Sequence, residues 1–387
     1  FLCLPDQLIC AAGPAGAPWF QLQDLAKQHG IRAFSSNYAP YADMSSRVVE
    51  ILRDFTPSLE VYSIDENFLV LDGLPGALGE IGREIRERVV RWVGLPVCVG
   101  IAGTKTLAKL ANHAAKKALA GHDGVCDFEA MTSDELSALF ASIPVSEVWG
   151  VGRRIDERLA ELGIGTVQQL RSAPPAWIRE HFSVVLERTV RELNGVSCLD
   201  LEDVAPDKQQ IMASRSFGHP VFDLEDLSES VASHTTRAAE KLRAQRHVAG
   251  VITVMIRSNP FKPWEPQYNR SEMVPLPEPS ADTRELIKAA LWGLRRIYRS
   301  GYAYKKAGVM LSGLEPELRR QASLLVDPEH ERKSAALMQA MDHINERWGR
   351  GSLRPLATGF SANWKMRQEN LSPAWTTRWD ALPRVTG

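Results

Sequence analysis

The 387-residue sequence predicts a multidomain α+β protein. Three observations carry that expectation. Two separate stretches alternate apolar runs of strand length with amphipathic segments of helical spacing. Between them, residues 147 to 200 read as helical throughout. The length suits two to four domains, and the polar "APDKQQ" near 205–210 reads as a linker.

In chain order, "PWFQLQDLAKQHGI" has helix spacing and stops at Gly30, and residues 42–54 form a second amphipathic helix that Pro57 ends. The run "VYSIDENFLVLDGL" falls in a strand expected over 60–72, followed by a helix over 77–93. "LPVCVGIAG" reads as an apolar strand, and its glycine opens onto the helix "TKTLAKLANHAAKKAL". The helical stretch carries glycines at 150, 152, 163 and 165. The second α+β stretch runs through "MASRSFG", a helix at 224–246, "GVITVMIRS", a strand near 271–276, a helix at 282–300 and "KKAGVMLSGL". Beyond 314 the chain turns polar, with one helix near 331–347 and a Trp/Arg-rich tail.

Composition narrows the function classes. Hydrophobic residues make up 44% and charged residues 24%, the balance of an ordinary folded domain. With a formal net charge of −1, any attraction to nucleic acid must come from a local basic surface. No run of 18 apolar residues exists, so no membrane partner is expected. Five scattered cysteines without a CxxC pair argue for reduced thiols in a cytoplasm and against a zinc site.

Three motifs carry chemistry. Asp65 and Glu66 are adjacent carboxylates inside an apolar run, where an unpartnered buried charge costs several kcal/mol. Either a bulge or edge position lets both reach water, or they ligate Mg²⁺, which takes carboxylate oxygens and leaves room for phosphates. Next, Lys105, Lys109, Asn112 and Lys116 share one helical face, which is either a solvated lysine face or a phosphate contact. Finally, Gly150 and Gly152 open a helix with Arg153 and Arg154 just inside it. That pattern is either an αα-hairpin with glycine caps or a helix–hairpin–helix that offers backbone N–H groups to a DNA phosphate.

Taken in order, "FSSNYAPYADMSSRV", "YSIDE", "GIAGTKTLAKLANHAAKK", "VWGVGRRI", "VVLERTVRELNG", "SRSFG", "RAAEKLR", "KAGVML" and "LSPAWTTRWD" resemble the Y-family translesion DNA polymerases of the UmuC type. The resemblance covers the chain from about residue 18 to its end. It implies a right-hand polymerase with partial fingers over 18–59, a palm over 60–145, a helical thumb over 146–204, a linker over 205–211, a little finger over 212–313 and a C-terminal region over 314–387. It implies error-prone translesion DNA synthesis in the SOS response, by two-metal nucleotidyl transfer with two Mg²⁺ ions. Asp65 and Glu66 match the metal carboxylates, and Lys116 matches a triphosphate-binding lysine. Lys105, Lys109, Gly150, Gly152, Arg153, Arg154 and Arg215 are the implied DNA contacts. Gln321, Leu324 and Leu325 in "QASLLV" resemble a clamp-binding peptide. The implied partners are primer-template DNA, deoxynucleoside triphosphates, the sliding clamp, a UmuD′-like dimer and a RecA filament, in the bacterial cytoplasm at the nucleoid.

Residues 1–17 depart from the family pattern. The family opens on a strand with a third metal-binding aspartate and an aromatic gate, and this segment is too short for both. Pro5 argues against a central strand, so Asp6 is not assigned as a ligand. The segment is read as truncated or aberrant, leaving the palm sheet without a central member. The alternative function that follows is a catalytically impaired DNA- and clamp-binding remnant. A third reading, a helix–hairpin–helix nuclease using the same carboxylates, ignores the resemblance.

Overall fold

A five-stranded sheet organises the first of two units into which the computed structural model divides, Phe1–Ala205 with Asn370–Gly387 and Pro206–Glu369. The structure describes residues 2–3, 19–120, 123–202, 207–319, 328–360, 364–366 and 368–383. The sheet contains β1 (Leu2–Cys3), β2 (Leu59–Val61), β3 (Glu66–Leu69), β4 (Cys98–Ile101) and β5 (Val125–Asp127), in the order β2-β3-β1-β4-β5. Short as it is, β1 is a central strand. Leu2 lies opposite Asn67 and Val99, and Cys3 lies opposite Glu66 and Cys98, antiparallel on both sides. The expectation that residues 1–17 contribute no central strand is therefore corrected. Two residues suffice to bridge β3 and β4 because Pro5 lies beyond the paired positions. Asp6 lies outside the described residues.

Alternation along β4 sends its side chains to two different cores. Val97, Val99 and Ile101 join Val48, Leu52, Ile85 and Val89 from α2 (Tyr38–Arg53) and α3 (Leu78–Val93), with α1 (Trp19–His29) preceding them. On the opposite face Cys98 packs with Leu110, Ala111 and Ala114 of α4 (Lys105–Lys116). Helix α4 lies directly on β4 because Gly100 has no side chain. A Cβ there would stand 2.2 Å from the Asn112 N and 2.3 Å from the Ala108 O. The same core continues into α5 (Ser133–Ser142), α6 (Arg153–Glu161), α7 (Val167–Ser172), α8 (Pro175–His181) and α9 (Val184–Leu193), through Phe140, Leu159, Val167, Ile178 and Val190. Reciprocal capping boxes start α5 (Thr132 with Glu135) and α7 (Thr166 with Gln169).

The single strand expected over 60–72 is a hairpin instead. Strands β2 and β3 pair antiparallel, with Leu59 opposite Leu69 and Val61 opposite Asn67. The backbone N–H groups of Tyr62 and Ser63 donate to the Glu66 carbonyl at 3.1 and 3.0 Å and close the turn. Four residues that read as strand interior thus form a loop. The periodicity missed this because Tyr62 and Ile64 are apolar but exposed.

The second unit carries a four-stranded antiparallel sheet: β6 (Ile211–Val221), β7 (His247–Ser258), β8 (Asn269–Ser280) and β9 (Tyr304–Pro316), in the order β6-β9-β7-β8. Helices α10 (Leu224–Ala244) and α11 (Thr283–Ile297) cover one face over Ile252, Val254, Val309 and Leu311. Register places Met212, Met310, Thr253 and Met273 in one row across the other face, and Ser216, Lys306, Arg257 and Asn269 in another. Helix α12 (Pro328–Trp348) is held by Arg243, whose guanidinium donates to both oxygens of Asp342 at 2.6 Å. Residues 370–383 belong to the first unit, where Ser35 N donates to the Asn370 carbonyl at 2.7 Å and Asn37 Nδ2 to the Ser372 carbonyl at 3.0 Å. No helix among the described residues is long and apolar enough to cross a membrane.

One buried base gives the second unit a pH dependence. His234 of α10 faces the Trp364 ring at 5.7 Å. Burial, with the charges of Arg215 and Lys306, pushes its pKa down to about 4. The unfolded chain binds a proton near the ordinary histidine pKa of about 6.5, and the folded chain does so only near 4. Stability is therefore fully present above about pH 6.5 and falls as pH drops toward 4, by roughly 3 kcal/mol. Urea unfolding at pH 7 and pH 4.5 should show that loss, and His234→Gln should flatten it.

Candidate active site

The candidate site lies at the turn end of the β2–β3 hairpin. Asp65 is exposed on the turn. Its Oδ1 accepts from the Ser63 Oγ at 2.6 Å, and its N–H donates back to the Ser63 Oγ at 3.3 Å. Glu66 opens β3 and is half-buried, with Oε2 accepting from the Lys109 Nζ at 3.1 Å. The expectation of two carboxylates inside a sheet core is corrected: the hairpin gives Asp65 water and Glu66 a cation, so neither carries the cost of an unpaired buried charge.

On the lysine face of α4, Lys105 and Lys109 are partly buried and meet carboxylates of the first unit. The Lys105 ammonium meets Glu60 Oε2 at 2.5 Å and the Asp200 carbonyl at 2.6 Å, and lies 5.1 Å from the centre of the Phe68 ring. Lys109 Nζ sits over Tyr62 at 4.8 Å and Trp149 at 4.7 Å. Tyr62, Phe68 and Trp149 pack mutually, with centroids 5.5 to 6.0 Å apart. The aromatic cluster thus holds Lys109 against Glu66 by cation–π attraction on one side and charge on the other. Asn112 on the same face is buried and donates to the Cys98 carbonyl at 2.7 Å. The face turns inward because the Gly100 contact seats α4 on the sheet, a tertiary fact that helical spacing does not carry.

Nor is the N-terminus of α4 open to phosphate. Thr104 caps it by accepting from the Leu107 N–H. The buried Glu192 of α9 accepts from the Thr106 N–H at 3.0 Å and the Cys198 N–H at 2.6 Å, and Glu129 accepts from the Gly103 N–H at 2.8 Å. A carboxylate suits that position for the reason a phosphate would, the positive end of the helix. Nothing in the motif "GIAGTK" announces that α9, some 85 residues on, supplies it.

The other candidate residues are dispersed. Lys116 lies seven residues beyond Lys109, about 10 Å along the helix. It stands near Cys98, whose thiol is pushed up by burial and partly held down by that charge and Arg86. Gly150 takes the left-handed backbone at φ +90° that favours glycine, and Gly152 is the N-cap of α6. Arg153 and Arg154 are exposed, with Arg153 pairing Glu157 at 3.3 Å. Trp149 precedes this turn, so the helical hairpin is tied to the carboxylate hairpin through its ring contacts with Tyr62 and Phe68. Arg215 is exposed on β6 of the second unit. Gln321, Leu324 and Leu325 lie outside the described residues. Among the described residues no cluster of three histidine, cysteine or acidic side chains could hold a metal, so Asp65 and Glu66 stand as a pair.

The sequence reading missed Glu60, Tyr62, Phe68, Trp149 and Glu192. No local signal pointed to them, since each stands more than 30 residues from α4 along the chain. Lys109→Met should cost about 2 kcal/mol in urea unfolding, because it removes the cation from both the rings and Glu66, while Lys109→Arg should recover most of it.

The chain matches the impB/mucB/samB family over residues 14–113 and the C-terminal domain of that family over 208–324, and a domain of unknown function over 335–385. It is 46% identical over 372 residues to the protein UmuC of Salmonella typhimurium, covering 96% of this chain and 88% of that one. It is 43% identical over 378 residues to the protein MucB of Escherichia coli, covering 96% and 87%. Among solved structures, a Y-family DNA polymerase chimera of Dbh and Dpo4 shares the fold at a TM-score of 0.58 and 18% identity, covering 79% of this chain and 84% of that one. With the hairpin carboxylates, the Gly150–Gly152 turn and the two-unit organisation in place, these similarities show that the chain belongs to the impB/mucB/samB family, the UmuC type of the Y-family DNA-directed DNA polymerases.

Proposed function

We propose that the chain copies damaged DNA, extending a primer with deoxynucleoside triphosphates across template lesions in the bacterial SOS response. The observation that carries this reading is the hairpin end, which presents the exposed Asp65 beside a Glu66 already held by Lys109. Two adjacent hard oxygen donors fit Mg²⁺, which keeps a few carboxylates and completes its shell with water and substrate phosphate. Asp65 and Glu66 would hold it, and two such ions supply activation of the primer 3′-hydroxyl and charge neutralisation on the departing diphosphate.

The chain's own groups divide the remaining work. Lys109 keeps Glu66 in place, and Lys116 is the candidate cation for the triphosphate. The Gly150–Gly152 turn, with Arg153 and Arg154, suits a sequence-independent hold on the DNA backbone, and Arg215 serves the same end from the second unit. Lys105 and Lys109 are assigned to structure and positioning, because their ammonium groups are engaged within the first unit. The proposed partners are a UmuD′-like dimer, a RecA filament and, through Gln321, Leu324 and Leu325, the sliding clamp, all at the nucleoid.

The test is primer extension on a template carrying one abasic site, with and without Mg²⁺, beside a binding measurement on the same DNA. Nucleotide addition past the lesion that chelation abolishes, with binding retained, supports the reading. Tight binding without Mg²⁺-dependent addition would leave the DNA- and clamp-binding remnant instead.

A further inference from the structure

We infer that Trp149 is a positioning residue that links the glycine turn to the carboxylate hairpin, so that DNA held at Gly150–Gly152 and a divalent ion held at Glu66 strengthen each other's binding, a coupling that rests on the proposed roles of both places. Trp149 belongs to both at once. On the turn side, Val148 and Val151 are buried, and the Val151 N–H donates to the Val148 carbonyl at 2.9 Å. Gly150, at φ +90°, is the third residue of that four-residue turn, the place where a positive φ favours glycine. Trp149 is the second, so its ring is carried by the same closed turn that would meet a DNA phosphate.

On the hairpin side the ring has three neighbours, each joined to Glu66. Tyr62 lies 5.5 Å from it, centre to centre, and the Tyr62 N–H donates to the Glu66 carbonyl at 3.1 Å. Phe68 lies 6.0 Å from it and follows Glu66 by two residues on β3, which places both on one face of the strand. Lys109 Nζ stands 4.7 Å from the Trp149 ring centre and 3.1 Å from Glu66 Oε2.

Lys109 is the shared element. Its ammonium is divided between the Tyr62 and Trp149 rings and the Glu66 carboxylate. Glu66 Oε2 cannot give the same lone pair to an ammonium and to a divalent ion. The rings and the ion therefore pull in one direction, and the Lys109–Glu66 bond pulls in the other. Phosphate on the turn fixes Trp149, a fixed ring holds the ammonium better, and Glu66 is left freer for the ion. Linkage makes the effect reciprocal: the factor by which DNA aids the ion is the factor by which the ion aids DNA. Trp149 is only half-buried and stands apart from the large core built on Phe140, Leu159 and Val190, so the first unit can fold without it.

The experiment uses the full chain, Mn²⁺ as the ion and a labelled primer–template duplex without nucleotide. Paramagnetic resonance of Mn²⁺ on the DNA-free chain comes first. Binding that Asp65→Ala removes supports the metal reading of the carboxylates; binding that it leaves unchanged overturns that reading and the coupling with it. Fluorescence anisotropy then measures how far Mn²⁺ raises DNA affinity, with Glu66→Ala as the baseline for ions bound to the DNA itself. The parent should exceed that baseline by about tenfold. Trp149→Leu should fall to within about twofold of the baseline, while its DNA affinity without Mn²⁺ stays within about threefold of the parent. Trp149→Phe keeps a ring and should retain most of the excess. Lys109→Met should also remove the excess, and adding Trp149→Leu to it should change nothing more. No excess in the parent, or a parental excess in Trp149→Leu, overturns the coupling and leaves the metal site standing. So does a Trp149→Leu variant that loses DNA affinity equally with and without Mn²⁺, which would make the ring a structural brace of the turn. A further loss in the double variant overturns the route through Lys109.

Discussion

If Asp65 and Glu66 hold the metal as proposed, Asp65→Ala and Glu66→Ala should each reduce primer extension by about a thousandfold while DNA affinity stays within a few-fold of the parent. A lost metal ligand removes several kcal/mol of charge stabilisation from the reaction, and each ~1.4 kcal/mol is tenfold in rate. The structure makes the result interpretable. Asp65 is exposed, and among the described residues its hydrogen bonds reach only Ser63, two residues away. Its replacement therefore leaves the fold intact. Glu66→Ala releases Lys109, but that ammonium keeps its place over Tyr62 and Trp149. Circular dichroism and urea midpoints should accordingly move little for Asp65→Ala and by about 1 kcal/mol for Glu66→Ala. Extension at the parental rate in both variants would reduce the pair to hairpin structure and remove the basis of the proposed activity.

Gly100→Ala abolishes folding of the first unit at ordinary temperature, or lowers its unfolding free energy by about 3 kcal/mol or more. The added Cβ would lie 2.2 Å from the Asn112 N, 2.3 Å from the Ala108 O and 2.8 Å from the Ala111 C. All three neighbours are backbone atoms of α4, so no side chain can rotate away. The helix must move as a body, and with it go the Asn112 bond to Cys98, the Glu192 bond to Thr106 and the placement of Lys109 beside Glu66. Limited proteolysis of the full chain should show the first unit cut while fragments spanning 211–316 persist. Gly152→Ala is the control, since a Cβ there meets nothing within 4 Å and Gly152 has negative φ.

The turn at Asp65 and Glu66, where the sequence predicts strand interior, and the pairing of Lys105 and Lys109 with carboxylates escaped the sequence for one reason. Periodicity reports which residues share a face, and it does not report what that face meets. Asp65 and Glu66 read as strand interior because Val61, Tyr62 and Ile64 are as apolar as any core, yet all three are exposed around a turn. Lys105, Lys109, Asn112 and Lys116 do share a face of α4, as the spacing says. Whether that face meets phosphate or Glu60 and Glu66 depends on how closely α4 approaches β4. The strand from Leu2 to Cys3 was rejected on the strength of Pro5, a sound local rule applied three residues too far.

What the sequence determined by itself was the order and kind of the elements, the two α+β stretches with helices between, the glycine turn at 150–152 and the family to which these belong. Those follow from local propensity, spacing and motif, each written within some twenty residues. The tertiary structure alone decided that Asp65 reaches solvent, that Trp149 and Tyr62 enclose Lys109 and that Glu192 caps α4. These pairings join residues 40 to 90 positions apart in most cases, and they form because a Cβ-free Gly100 lets a helix settle on a strand and because sheet register brings distant residues into one row. Contacts of that kind depend on where whole elements come to rest, which no local window of sequence contains.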